Sequence, residues 1–351
     1  MVNPMFRRLE SSQSNAKILP ITLAFLLPLL LLFLSACRRS AGEKHDATIT
    51  LYGFSVVKEP LENEIFPAFE KQWREKTGQQ LHLAGSYGGS EVVTNQIVNG
   101  AEAEIAILSI ERHADRLLRP DVARNDWRKL PHDGIVNRTP MVIVVRQGNP
   151  KRIRDFSDLG KPGVKIIHCD PTSSGAGQWS LLAIYGSEMI KSEKRDGRRN
   201  ETRATELLRK IWKNVITTPE SARAARTQFE RNEGDALVTY ELEALQMQDK
   251  KQPIEIVMPQ ATVLCEHPVV IIDHQLTPQK YALIELFVRS LWERPAQDAW
   301  VRARFRSVLE ELNGQFQTIP IPFRAADFGG WDKAYKDIAE DVWKKQIQLG
   351  N

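Results

Sequence analysis

Three short stretches of small residues each join a β-rich run to a helical one: Gly88-Gly89-Ser90, Ser173-Ser174-Gly175-Ala176 and Glu220-Ser221-Ala222. At such a junction the first turn of the helix carries backbone N–H groups that have no intrahelical acceptor, together with the positive end of the helix dipole. An anion is favoured there without any lysine or arginine. Glycine and alanine allow close approach to the backbone, while Ser90 and Ser174 can cap their helices or donate a hydroxyl hydrogen. Taken singly, each stretch also reads as an ordinary strand-to-helix turn with a capping serine. Three of them, divided between two parts of the chain, point to one oxyanion clamped in a cleft between two lobes.

Signatures of other chemistry are missing. The sequence contains no G-x-x-x-x-G-K-[ST], G-x-G-x-x-G, H-E-x-x-H or G-x-S-x-G, so nucleotide binding and common hydrolase mechanisms have no motif behind them. His168-Cys169-Asp170 and Cys265-Glu266-His267 are the two places with metal-ligating types, but neighbours on a strand face opposite sides. Each trio offers at most two ligands to one pocket, short of a metal site, and the expectation is no metal and no cofactor. The chain has three cysteines and no C-x-x-C pair, which excludes a disulfide scaffold and a zinc ribbon. Whether Cys169 and Cys265 pair or stand as separate buried thiols is left open by their spacing.

The 351 residues are 42% hydrophobic and 26% charged with a formal net charge of +4, the balance of globular domains without a nucleic-acid footprint. At the N-terminus Arg7, Arg8 and Lys17 precede an uncharged apolar run, Ile18 to Leu34, that contains Pro20 and Pro28. A membrane-spanning helix needs about 20 apolar residues, so the run reads as a secretory signal peptide. It ends in Leu34-Ser35-Ala36-Cys37, which resembles the bacterial lipobox. That resemblance implies cleavage before Cys37 and a lipid on its thiol, hence a lipid-anchored protein on the periplasmic side of the envelope.

The elements that must position the three turns follow from hydrophobic period. Strands are expected at Ala47 to Tyr52, Leu81 to Ala84 and Glu104 to Ile110, with helices between them and a kink in the first at Pro67. Strand Val164 to His168, a helix containing Trp179, Leu181, Leu182 and Ile184, helix Thr205 to Lys213, strand Val215 to Thr217, helix Ser221 to Arg231 and strand Ala236 to Thr239 restart the same βαβ grammar. The mixed-charge stretch Lys191 to Arg203 reads as an exposed loop. Two long β-rich runs, Pro140 to Arg146 and Thr262 to Ile272, look like crossings between lobes, and helices Gln279 to Trp292 and Gln297 to Leu312 then return to the first. The expectation is an α/β fold of two lobes, each a mainly parallel sheet flanked by helices: signal peptide 1–36, tether 37–46, lobe 1 at 47–146 plus 268–351, and lobe 2 at 147–267.

At these turns the chain resembles the periplasmic sulfate-binding and thiosulfate-binding proteins that serve ABC importers, from about Ile49 to Asp337. Ser86-Tyr87-Gly88-Gly89-Ser90 stands where that family has S-H-G-G-S, Val144 to Lys151 where it has L-V-R-K-G-N-P-K, and Asp170 to Gly175 where it has N-P-K-[ST]-S-G. Lys161-Pro162-Gly163-Val164, Glu241-Leu242-Glu243-Ala244-Leu245 (E-N-E-A-L) and Phe328-Gly329-Gly330-Trp331 follow in order. The resemblance implies the type II periplasmic binding fold and anion contacts from Gly89, from the amide and hydroxyl of Ser90, from the amides of Ser174, Gly175 and Ala176, and from that of Ala222. Two positions depart: Tyr240 replaces a tryptophan donor, and Ser55 replaces a supporting aspartate. Asp170 stands where an asparagine is usual. Facing the ligand it would repel sulfate and favour a protonated oxyanion; capping its turn, as Asp-Pro suggests, it would leave sulfate preferred.

The resulting expectation is a monomeric, non-enzymatic solute-binding lipoprotein that captures sulfate or thiosulfate and delivers it to ABC permease subunits. Alternatives are molybdate, tungstate or phosphate in the same fold, a phosphate- or sulfate-ester hydrolase, and an envelope ligand sensor.

Overall fold

Residues 47–349 are described in a computed structural model. The leader, Cys37 and the rest of the tether lie outside them. β1 (Ala47–Phe54) buries Ile49 and Leu51, whereas Thr48 is exposed and Thr50 half-buried, and it pairs in parallel with β2 (Leu81–Gly88) and β3 (Ile105–Ile107). A turn, Ser55–Val57, leads from β1 into a helical run that ends as α1 (Phe66–Thr77). The run is π-helical over Leu61–Ile65 and α-helical from Phe66, so the change in helical geometry falls directly before Pro67, which has no N–H to give the ladder. Gly78, at φ +70°, ends α1. α2 (Ser90–Val98) and α3 (Glu111–Asp115) flank β3.

β4 (Ile135–Arg146) begins the second strand set. After it come β5 (Ile166–His168), α4 (Gly175–Asp196), α5 (Glu201–Trp212), β6 (Val215–Thr217), α6 (Ala222–Glu230), β7 (Ala236–Tyr240), α7 (Glu241–Asp249) and β8 (Ile254–Val257). β9 (Ala261–Ile271), α8 (Pro278–Ser290), α9 (Arg294–Arg302), β10 (Ile321–Phe323) and a C-terminal helix, Tyr335–Gln348, complete the chain. Strands run in the order β2-β1-β3-β9-β4-β7-β5-β6, with β8 on β4 and β10 on β9.

Two long strands do link the two strand sets, but β4 starts five residues before the apolar run Pro140 to Arg146, and the link to β9 lies in that extension. Ile135–Pro140 of β4 pairs antiparallel with Leu264–Pro268 of β9. The rest of β4, Met141–Val145, pairs with β7, and Val269–Ile271 of β9 pairs with β3. β4 and β9 therefore belong to both sheets, which is the architecture of a two-lobed α/β fold. Met141 to Val144 are fully buried, as expected of a strand covered on both faces. Among the described residues no helix is long and apolar enough to cross a membrane.

Three expectations about elements are corrected. The charged stretch Lys191 to Arg203 is helical except for a short turn: α4 runs to Asp196, Gly197 at φ +72° stops it, and Asn200 caps α5 by accepting from the Arg203 N–H. Its charges pair along the helix surface, Arg195 with Glu188 and Asp196, Arg203 with Asp196. The helix drawn from Gln297 to Leu312 ends at Arg302, because Arg306 exchanges two 2.8 Å backbone hydrogen bonds with Arg138 of β4. Finally, the tail drawn with lobe 1 packs on α4 and α5. Trp331 meets Trp179 edge to face at 4.4 Å and Trp343 meets Trp212 at 5.2 Å, contacts worth about 0.5–1.5 kcal/mol each beyond their buried area.

Candidate functional site

The three anticipated turns meet. Gly89 occupies the N-cap of α2 in extended conformation, and a Cβ placed on it would stand 2.5 Å from the Ser173 carbonyl oxygen and 2.8 Å from that of Glu220. Only glycine permits that approach. The Ser173 hydroxyl donates to the Glu220 carbonyl at 3.1 Å, joining the second turn to the third. The first turns of α2, α4 and α6 thus begin at one place, with Gly88-Gly89-Ser90 from the β1–β3 set facing the other two from the β5–β7 set.

Each expected residue has a definite place. Ser174 caps α4, its Oγ accepting from the Ala176 N–H at 3.1 Å, so that amide is already engaged; Gly175, by its position in the first turn, has no intrahelical acceptor. Ser221 caps α6 through the Ala224 N–H at 3.2 Å and leaves Ala222, itself buried, as the opening residue. Ser55 is half-buried at the start of its turn, which packs against α6 from the opposite strand set. Asp170 accepts from the Thr172 N–H at 2.8 Å, and its two oxygens each lie 2.8 Å from the Thr172 hydroxyl. Its carboxylate caps the turn, as the Asp-Pro sequence suggested.

Tyr240 is fully buried at the N-cap of α7, and its hydroxyl lies 2.7 Å from Ser109 Oγ. Burial pushes that phenol well above its ordinary value. Two hydroxyls sharing one hydrogen bond have a second O–H hydrogen left to give. Ser109 was not anticipated. Its amide donates to Ser90 Oγ at 3.0 Å, its carbonyl accepts from Trp179 Nε1 at 2.7 Å, and its Oγ abuts Gly175, where a Cβ would come within 2.3 Å. The available signal was a lone hydroxyl in the apolar run Ile105 to Ile110, just past the carboxyl end of a strand, where open α/β sheets bind ligands.

Behind Ser90 lies a second unanticipated group. Ser90 Oγ is 2.9 Å from Nδ1 of the fully buried His113, whose Nε2 is 2.7 Å from Glu91 Oε2. Burial would raise the Glu91 carboxyl, but the hydrogen bond and charge of His113 and the charge of Arg116 outweigh it and hold the pKa down to about 2. Across the cleft, Arg223 of α6 reaches Glu59, just after β1, at 2.7 Å and the buried Glu243 at 3.1 Å; Arg226 holds the other Glu243 oxygen at 3.4 Å. Cys169 and Cys265 are free, buried thiols, and burial pushes Cys169 up to about 12.

The arrangement brings three helix N-termini and the Ser109–Tyr240 hydroxyl pair, from both strand sets, together at buried positions. It suits a compact anion rich in acceptors. The sequence matches the family of bacterial extracellular solute-binding proteins over residues 49–306. It is 30% identical to the sulfate-binding protein of Synechococcus elongatus over 317 residues, 88% of this chain and 89% of that one. To the thiosulfate-binding protein of Pseudomonas aeruginosa it is 28% identical, over 84% of this chain and 90% of that one. Among solved structures, the sulfate-binding protein SubI from Mycobacterium tuberculosis superposes with a TM-score of 0.74 at 28% identity, covering 83% of this chain and 99% of that one.

Proposed function

The chain belongs to the bacterial extracellular solute-binding protein family, and from that premise we propose that it captures sulfate or thiosulfate for an ABC importer. The observation that carries the reading is Gly89 seated between the carbonyls of Ser173 and Glu220, which brings three helix N-termini from two strand sets to one point. The ligand contacts are the amides of Ser90, Gly175 and Ala222 and the Ser109–Tyr240 hydroxyl pair, with Ser174 and Ser55 as supports; Ala176 serves the cap instead. Three to five charge-assisted hydrogen bonds at about 1.5–3 kcal/mol each account for the roughly −8 kcal/mol of a micromolar receptor. Sulfate is fully ionised and only accepts, so a pocket of donors suits it. The capping role of Asp170 favours sulfate over phosphate, because its carboxylate is engaged with Thr172 and not turned to receive a phosphate proton.

In this reading residues 47–146 and 268–320 form one lobe and 147–267 with the tail 321–349 the other, β4 and β9 being the hinges. Closure follows from differential affinity: an anion bridging both lobes binds the closed state more tightly. Lipid on Cys37 would anchor the protein beside its permease, and no covalent step occurs. Calorimetric titration with sulfate, thiosulfate, molybdate, tungstate and phosphate tests the proposal. Micromolar binding of the two sulfur oxyanions is expected, and a preference for phosphate that disappears in Asp170→Asn overturns it. The Ser90–His113–Glu91 chain has the connectivity of a nucleophile, base and orienting acid, so the hydrolase alternative is tested beside it with chromogenic phosphate and sulfate esters; no turnover is expected.

A further inference from the structure

The direction of the Ser90 hydroxyl is decided by hydrogen counting. Ser90 Oγ already accepts from the Ser109 N–H at 3.0 Å, which leaves it one hydrogen to donate and one lone pair. Its other neighbour is Nδ1 of His113, at 2.9 Å. The Glu91 carboxylate lies 2.7 Å from Nε2, an ion-pair contact whose alignment falls outside hydrogen-bond geometry, and its negative charge favours a hydrogen on that nitrogen. If the imidazole is neutral, Nδ1 is then bare, Ser90 donates to it, and the serine offers the anion pocket only a lone pair. If the imidazole is charged, Nδ1–H donates to Ser90, and the serine hydrogen is released toward the pocket.

We propose that His113, oriented by Glu91, is a positioning residue that sets whether Ser90 gives or takes a hydrogen bond in the anion pocket, so that capture of a fully ionised oxyanion by this chain takes up a proton from solvent. The inference rests on the proposed reading of Ser90 as a ligand contact. It assigns specificity as well. A doubly charged anion that only accepts is bound best with His113 protonated, gaining a donor and a nearby positive charge together. Hydrogen phosphate, which must donate once, is suited by the neutral form.

The charges around His113 are consistent with a group that needs the anion to ionise. Full burial lowers its pKa, and the charges of Arg112 and Arg116 on its own helix lower it further, against the raising influence of Glu91 from α2. Of the other elements packed on α3, β9 brings Glu266, which acts on Glu111, and the C-terminal region brings Tyr335, whose ring lies 3.7 Å under Arg112. Asp332 is exposed, and the exposed Lys333 is paired with Asp337. An anion at the Ser90 amide supplies the opposing charge, and raises the His113 pKa by linkage.

The test is titration calorimetry with sodium sulfate between about pH 5 and 8, each pH in two buffers of different ionisation enthalpy. Uptake of a fraction of a proton per sulfate is expected, with affinity rising as pH falls by at most about tenfold per unit. Uptake should vanish in His113→Gln, whose weaker sulfate binding becomes independent of pH. Sulfate binding by the wild type with no buffer dependence at any pH overturns the proposal, as does uptake that persists in His113→Gln. If His113→Gln does not fold, Glu91→Gln decides: the uptake window should move to lower pH, and an unmoved window overturns the proposal. Absence of binding to every anion at every pH is a different result, which overturns the proposed function itself.

Discussion

Ser109 binds three parts of the site together, its amide to Ser90, its carbonyl to Trp179 and its hydroxyl to Tyr240. Ser109→Ala removes the hydroxyl alone and leaves the Tyr240 O–H buried without that partner, a loss of about 1–3 kcal/mol. Sulfate affinity is expected to fall about tenfold with a modest drop in melting temperature, and calorimetry showing unchanged affinity would remove the hydroxyl pair from the site. Buried imidazoles govern the acid limb of stability. Burial lowers His168 to about 4, against its hydrogen bond to the Cys169 carbonyl, and lowers His267 to about 3. An unfolded imidazole titrates near 6.5, so between about pH 6.5 and 4 the unfolded chain binds protons that the folded chain refuses. Stability is therefore complete above that window and falls as pH drops through it, by roughly 3 kcal/mol for His168. Melting curves from pH 7.5 to 4.5 should show a shallower decline for His168→Gln. Residue types alone marked the turns holding Gly89, Ser90, Ser174 and Ala222 as helix starts, and Asp170 as a turn cap. They gave no means of finding His113, whose role comes from the Ser90 hydroxyl and Glu91 carboxylate of another helix.

Elements were legible wherever period and punctuation agreed. The strand-turn-helix units around Ser90, Ser174 and Ala222 fall where small residues follow β-branched runs, since the local backbone requirement is met by neighbours in sequence. Legibility failed where helical propensity was masked by charge, as in α4 and α5, and where a strand was too short to show a period, as in β8 and β10. Two glycines separate local from tertiary demands. Gly197 has φ +72° and open space around it, so Gly197→Ala is expected to cost about 1 kcal/mol in thermal unfolding while leaving anion affinity untouched. Gly89 has an unexceptional φ of −63° but no room for a side chain. Gly89→Val should push the turns apart, abolish anion binding in calorimetry, and leave the helix content seen by circular dichroism unchanged. Retained affinity would contradict the convergence of the three turns.

At the scale of the whole molecule, the proposed closure draws on contacts that span the two strand sets. Arg223 spans them, reaching the half-exposed Glu59 on one side and the buried Glu243 on the other. Glu59→Gln leaves Glu243 neutralised and removes the exposed half of the bridge, a contact of at most about 1 kcal/mol. Sulfate affinity is expected to fall severalfold in dilute buffer and to match the wild type near 1 M salt, where exposed pairs are screened; a salt-independent loss would rule out this electrostatic contribution. Order along the chain settled the properties of near neighbours: most of the strands, which small-residue turns start helices, and the family the motifs resemble. Tertiary structure alone decided that Gly89 meets Ser173 and Glu220, that Ser109 lies 131 residues from its Tyr240 partner yet within hydrogen-bond reach, and that the C-terminal tail covers α4 and α5. The reason is physical. A backbone conformation is set within a few residues by sterics and hydrogen bonding, whereas the partner of a buried polar atom is set by which distant surfaces the packed core brings together.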